Sequence, residues 1–272
     1  MTAIVPPEPF ATVAALAAGL VLGSFLNVCI HRLPLGESVV RPRSRCPNCR
    51  GEIAWYQNVP VVSWIALGAR CARCGTAIPW RYPAVELLGG IVTAGAWRAF
   101  GPSAAFAIVA GFALSMIVLF FTDLDHQMLP DAVTLPGFVL GIAVAWFNPF
   151  LGEPGLGRVW AAIAGAATGA GILWGIGAVY QRVRGVEAMG MGDVKMLAFV
   201  GAFAGPRGAL FTIFLGSVLG AVVGVLRIPL RGGSLRDTLP FGCFLAPSAI
   251  AALLFARRVF AAYFDLVLPP GS

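Results

Sequence analysis

Charged side chains are scarce in this chain of 272 residues: Asp, Glu, Lys and Arg together make up 11% of it. An ordinary soluble domain carries about 25%. So few charges cannot cover the surface of a soluble globular protein, and they also exclude a disordered segment or a nucleic-acid-binding arm. Because 58% of the residues are hydrophobic, the composition predicts an all-α, polytopic membrane protein that binds no nucleic acid.

A basic segment before the first apolar run is also lacking, so we interpret that run as a retained anchor rather than a cleaved signal peptide. A transmembrane helix needs about 20 mainly apolar residues, and eight apolar runs are candidates. They are residues 10–30, 83–100, 103–122, 132–149, 159–180, 194–205, 208–228 and 240–264. The sixth run is short for a full crossing.

The 19 basic residues are distributed unevenly over the connecting loops. If the amino terminus lies outside, most of them fall on the inside, as the positive-inside rule requires. The long polar loop between the first two runs, residues 31–82, is then cytoplasmic, where thiols stay reduced. We divide the chain into residues 1–82, the first helix with this loop, and residues 83–272, a helix bundle.

Four of the six cysteines form two Cys-x-x-Cys pairs in the loop. Cys46 pairs with Cys49 and Cys71 pairs with Cys74, with 21 residues between the pairs. Two such pairs complete a tetrahedral zinc shell and leave no position for a catalytic water, so the pattern predicts a structural zinc site. The alternatives are four unrelated thiols or a redox pair, and the βαβ pattern expected around a redox pair is absent.

Small residues recur at four-residue spacing in two of the apolar runs. Gly165 and Gly169 form one row, and Gly216, Gly220 and Gly224 form the other. Such rows allow two helix backbones to approach closely in lipid, so they predict tight helix packing. We find no repeat that halves the chain, which argues against a transporter built from inverted repeats.

Two aspartates stand at span ends on the predicted cytoplasmic side. Asp123 ends the third run, and Asp193 closes the sequence Gly190-Met-Gly192-Asp at the mouth of the sixth. Carboxylates at membrane depth are costly and suggest function. Two that meet can share a proton and hydrolyse a peptide bond through water, with Gly190 and Gly192 admitting substrate backbone. The alternative for Asp193 is a salt bridge with Lys195 or a helix start, and the residues favour the aspartate pair only slightly over it.

Other polar residues near span ends have simpler interpretations. We expect Asp131 to cap a helix after Pro130 and Asp125 either to support the pair or to be solvated. Cys29 is interpreted as a buried thiol and His31 as an interfacial side chain. 

Several motifs in this order resemble those of the bacterial type IV prepilin peptidases, from about residue 19 to at least residue 200. The motifs are Gly23 to Pro34, the two Cys-x-x-Cys pairs, Arg81 to Glu86, Asp123 to Asp131, and Gly190 to Asp193.

The resemblance implies a bifunctional enzyme of the bacterial inner membrane, with a periplasmic amino terminus. It would cut the leader of type IV prepilins or type II secretion pseudopilins after a glycine, using Asp123 and Asp193. It would then methylate the new amino terminus, usually phenylalanine, with S-adenosylmethionine. The family's cysteine-bearing loop is tied to methyl transfer, so its presence here favours that activity.

The methyl-transfer site is less defined, since no Gly-x-Gly-x-x-Gly fingerprint follows a strand. Glu86, Arg81 and Asn27 are polar residues near the loop, suited to contact the cofactor or the substrate ammonium. Glu86 could equally cap the second helix, where negative charge is favourable.

Two other classes remain open from the residues alone. A transporter would use the carboxylates as an ion path, although it predicts them near mid-membrane. An assembly scaffold would use the zinc loop to bind a partner. The basic loop is also suited to anionic lipid headgroups, whichever class applies.

Overall fold

The computed structural model describes residues 9–186, 190–231 and 239–267. Over these residues β structure is limited to two isolated bridges, which confirms the all-α prediction. The helices are α1 Pro9–Arg32, α2 Val62–Ala66, α3 Arg81–Phe100, α4 Ala104–His126, α5 Asp131–Ala143, α6 Leu156–Arg184, α7 Met191–Arg231 and α8 Gly242–Val267. The chain separates into two compact units, Met1–Val118 and Leu119–Ser272.

Five of the described helices are long and apolar enough to cross a membrane, namely α1, α4, α6, α7 and α8. The prediction of an integral membrane protein is therefore confirmed. Two other predicted runs are not among these five helices. The run 83–100 forms most of α3, which has 20 residues and carries Arg98 in its last turn. The run 132–149 is α-helical only as far as Ala143, and short 3-10 turns follow.

In the first unit, α1 and α3 pack antiparallel along their glycines. A Cβ atom on Gly23 would lie 2.6 Å from the Cα of Glu86, and one on Gly89 would lie 2.9 Å from the Cα of Gly23. Both distances are too short for real atoms, so only glycine permits this approach. The contact fixes the backbone that carries Glu86 against α1.

In the second unit, α7 is interrupted at Gly205, whose φ of 70° and ψ of −176° are not helical. Gly169 of α6 lies against both Leu197 and Ala209. These residues would be about 18 Å apart along a straight helix, at 1.5 Å per residue. The chain therefore folds back at Gly205, which separates the predicted runs 194–205 and 208–228.

Both predicted rows of small residues lie in helix contacts. Gly165 and Gly169 face the backbone of α7, while Gly216 and Gly220 face Leu245 and Phe244 of α8. Tight packing is therefore confirmed as the role of these glycines.

Candidate active site and metal centre

Asp123 lies in the last turn of α4 and is 5% exposed. Its Oδ2 atom accepts a 2.9 Å hydrogen bond from the backbone N–H of Cys243, at the start of α8. A Cβ atom on Gly242 would lie 2.9 Å from the same oxygen and 3.0 Å from Cδ2 of Leu129. The first residues of α8 therefore enclose one side of the Asp123 carboxyl group.

The Gly190-to-Asp193 segment lies beside the same site, because Gly192 packs against Leu129. A Cβ atom on Gly192 would lie 3.1 Å from Cβ of Leu129, so Leu129 lies between Gly192 and Gly242. Asp193 is half-buried in the first turn of α7, close enough to Asp123 for their charges to interact. The two carboxyl groups thus share one site, and their catalytic role remains a prediction.

Lys195 pairs with Asp131 and not with Asp193. Its Nζ atom lies 2.7 Å from both carboxylate oxygens of Asp131, and both side chains are partly exposed. Asp131 is the first residue of α5, and Pro130 occupies the N-cap position without a side-chain cap bond. The expectation that Asp131 caps this helix is therefore wrong, since its carboxylate binds Lys195 instead. Asp125 is exposed. 

The four loop cysteines form a single cluster in the first unit. Their sulfur atoms all lie within 4.8 Å of one another, and those of Cys46 and Cys74 are 3.8 Å apart. Ligands at 2.3 Å from a tetrahedral zinc ion are about 3.8 Å from each other. The donor set and its spacing therefore fit a metal ion.

Each Cys-x-x-Cys pair lies in its own turn, and the two turns have the same backbone hydrogen-bond pattern. The N–H of Cys46 donates to the carbonyl of Gly51, and that of Cys71 donates to the carbonyl of Thr76. Short antiparallel bridges close both turns, Arg45 with Glu52 and Arg70 with Ala77. The spacing predicted the ligands, but the repeat of the whole turn could be read only from the backbone.

Hydrogen bonding prepares one of these thiols for metal binding. Contacts with the side chain and backbone of Thr76 lower the pKa of the Cys74 thiol to about 6. The Nδ2 atom of Asn48 also lies 3.7 Å from its sulfur. A thiolate is the form that binds a metal ion, so Thr76 and Asn48 favour the liganding state.

Glu86 joins the loop to α3, and Asn27 joins α1 to the first turn of α3. An oxygen of Glu86 accepts a 2.7 Å hydrogen bond from the N–H of Val61, and Nδ2 of Asn27 donates to the carbonyl of Tyr82 at 3.0 Å. Arg81 is the first residue of α3. Glu86 lies beyond the first turn of α3, which holds no acidic residue, so the interpretation of Glu86 as a helix cap is wrong.

The remaining predictions from the sequence concern Cys29 and His31. Cys29 is buried as expected, and His31 is exposed. Sequence reasoning missed Leu129, Gly242 and Cys243, because each stands in or beside an apolar run without a distinctive polar pattern. The only signal was the Pro240-Phe-Gly242 turn sequence at the start of the last run.

Fold and site first define a class: an integral membrane protein of α-helices that carries a four-cysteine cluster and a pair of carboxyl groups. Sequence comparison is then more specific. A family model described as "Bacterial Peptidase A24 N-terminal domain" matches residues 17–100, and one described as "Type IV leader peptidase family" matches residues 110–225.

Relatives named prepilin leader peptidase/N-methyltransferase align with most of the chain. The protein of Myxococcus xanthus (strain DK1622) is 42% identical over 82% of this chain, which spans 65% of that relative. The protein of Pseudomonas putida is 36% identical over 96% of each chain, and that of Pseudomonas aeruginosa 37% over 90% of each. No solved structure matches. The chain belongs to the type IV leader peptidase family and is an enzyme, which confirms the resemblance.

Proposed function

We propose that this enzyme removes the leader peptide of type IV prepilins or type II secretion pseudopilins and then methylates the new amino terminus. The observation that carries the peptidase half is the shared site of Asp123 and Asp193. The names of the relatives support both halves. The proposed cleavage follows a glycine, as the family resemblance implies.

In the proposed cleavage, the two aspartates act on one water molecule. The ionised carboxyl group accepts a proton from the water as its oxygen attacks the scissile carbonyl carbon. The protonated carboxyl group donates its proton to the carbonyl oxygen, and the tetrahedral intermediate then releases the leader. Gly190 and Gly192 leave room for the extended substrate backbone.

In the proposed methylation, residues 1–82 serve the second activity and S-adenosylmethionine donates the methyl group. The four cysteines hold zinc as a structural ion, since four protein ligands fill its coordination shell. Glu86, Arg81 and Asn27 lie beside the loop and are the proposed contacts to the substrates of this step. The division of labour between residues 1–82 and 83–272 is part of the proposal.

The proposed location is the bacterial inner membrane, with the amino terminus in the periplasm and the cysteine loop in the cytoplasm. The distribution of arginine supports this orientation. It places the loop, Asp123 and Asp193 on the side where prepilins are synthesised. The basic loop is also proposed to contact anionic lipid headgroups.

The decisive experiment combines purified full-length enzyme with one prepilin, with and without S-adenosylmethionine, and follows intact mass. Asp123→Asn and Asp193→Asn should each reduce leader removal by about a thousandfold or more. Asp131→Asn is the matched control, because Asp131 is a nearby acid held by Lys195. Cleavage by both mutants at the wild-type rate would contradict a catalytic role for the two aspartates. A wild-type product that lacks the added methyl group would contradict the proposed methylation.

A further inference from the structure

The first unit contains a cavity of about 220 Å³ between the cysteine loop and helices α1 and α3. Its wall includes Cys46 and Cys71 of the cluster, the apolar side chains of Val61 and Trp64, and the polar side chains of Asn27 and Glu86. Trp64 is fixed by a 3.0 Å hydrogen bond from its Nε1 to the carbonyl of Ile78. The lining also includes Arg32, Arg45, Arg73 and the exposed, ion-paired Glu52. Glu86 is the buried acidic group of this cavity.

Glu86 is an unusual group to find in this wall. It is only 9% exposed, and its carboxyl group contacts the N–H of Val61 and the hydroxyl of Ser24. Among the described residues, no cationic side chain forms an ion pair with it. A buried carboxylate without a counter-charge is costly, and a cation in the cavity would offset that cost.

We propose that Glu86 binds the α-ammonium group of the cleaved pilin, whose first side chain lies in the apolar part of this cavity. This rests on the proposed function, which creates that ammonium group. The alternative cation is the sulfonium of the methyl donor. The apolar side chains of Val61 and Trp64 in the same wall suit the apolar first side chain of a mature pilin.

The backbone around Val61 supports a fixed carboxylate. Val61 has a φ of 62°, in a region that β-branched residues rarely occupy. Its N–H donates the hydrogen bond to Glu86. The hydroxyl of Ser63 donates to the carbonyl of Tyr56 and accepts from the N–H of Val59. These bonds hold the loop segment that presents Val61.

The test measures binding to full-length, zinc-loaded enzyme in detergent, without a methyl donor. The probes are two forms of one peptide with the first residues of a mature pilin, one with a free amine and one N-acetylated. Wild type should bind the free amine at least about tenfold more tightly, as expected for a hydrogen bond between charged groups. In Glu86→Gln the two forms should bind equally.

Glu37→Gln is the matched control, because Glu37 is an exposed acid of the same loop that does not line the cavity. It should keep the wild-type preference. Glu86→Gln should raise the KM for cleaved pilin in methylation, with leader removal and the KM for S-adenosylmethionine unchanged. A preference for the free amine that survives in Glu86→Gln, or an effect confined to the donor, would overturn the proposal.

A second measurement needs no variant and so does not depend on mutant folding. A carbodiimide couples a bound amine to an adjacent carboxylate as an amide, and takes up the elements of water to leave as a urea. Peptide mapping should find the free-amine peptide attached to Glu86, and attachment only to other carboxylates would contradict the proposal. Because neither binding nor coupling requires cleavage or a donor, failure of the proposed function shows separately, as absence of leader removal or methylation by wild type.

Discussion

The backbone N–H of Cys243 donates a 2.9 Å hydrogen bond to Oδ2 of Asp123, across 120 positions of the sequence. The bond places the first turn of α8 directly on a carboxyl group at the end of α4. Gly242, the preceding residue, touches the same oxygen without a side chain. The start of α8 is therefore part of the candidate site, although it supplies no acidic residue.

Gly242→Ala should slow leader removal strongly. The added Cβ would lie 2.9 Å from Oδ2 of Asp123 and 3.0 Å from Leu129, so the carboxyl group must move. Displacement of about 1 Å can cost a hundredfold in rate, and we expect a loss of at least about tenfold in kcat. Gly220→Ala is the control, since its Cβ would meet only Phe244, at 3.3 Å. Equal cleavage rates in the two variants would contradict this prediction.

Gly192→Leu and Gly190→Leu should both impair cleavage, and the first should be worse. A Cβ on Gly192 meets Leu129 at 3.1 Å, whereas one on Gly190 meets, among the described residues, only the backbone N of Gly192, at 3.9 Å. A leucine at 192 therefore disturbs the enzyme itself, while one at 190 obstructs only an approaching substrate. Steady-state kinetics should show a reduced kcat for Gly192→Leu and a raised KM for Gly190→Leu. Normal turnover in both would refute a close backbone approach.

Removal of the metal should damage methylation more than leader removal. The cysteine cluster lies in the first unit and the two aspartates lie in the second. Enzyme treated with a chelator, and a Cys46→Ser variant, should therefore lose methyl transfer while retaining most cleavage. Cys29→Ser is the matched control, because Cys29 is a buried thiol outside the cluster. Parallel loss of both activities would indicate that the metal supports the whole fold.

Arg50→Gly should stabilise the cysteine loop, and Gly75→Ala should destabilise it. The two residues occupy equivalent positions in the repeated turn, with φ of 54° and 70°. Only glycine adopts such angles without cost, so each change should be worth about 0.4–1 kcal/mol, with opposite signs. Nothing lies within 4 Å of a Cβ at Gly75, so the effect there is one of backbone alone. Denaturant titration of zinc-loaded protein, followed by metal release, measures both.

Local patterns in the sequence predicted the helical membrane fold, the cysteine cluster and the positions of Asp123 and Asp193. Apolar length identifies a span, and ligand spacing identifies a metal site, without knowledge of the tertiary structure. The break at Gly205 was predicted as a boundary between two runs, but its fold-back follows from contacts with Gly169. The role of Gly242 was not predictable, because it depends on which helix end meets Asp123.

The position of Lys195 has a practical consequence. Lys195 is the only lysine in the chain, its side chain is 33% exposed, and it lies two residues after Asp193 in the first part of α7. Apart from the terminal amine, an amine-reactive fluorophore has a single place to attach. The chain therefore carries its own labelling position beside the carboxyl pair, from which arrival of a substrate can be followed without an engineered cysteine.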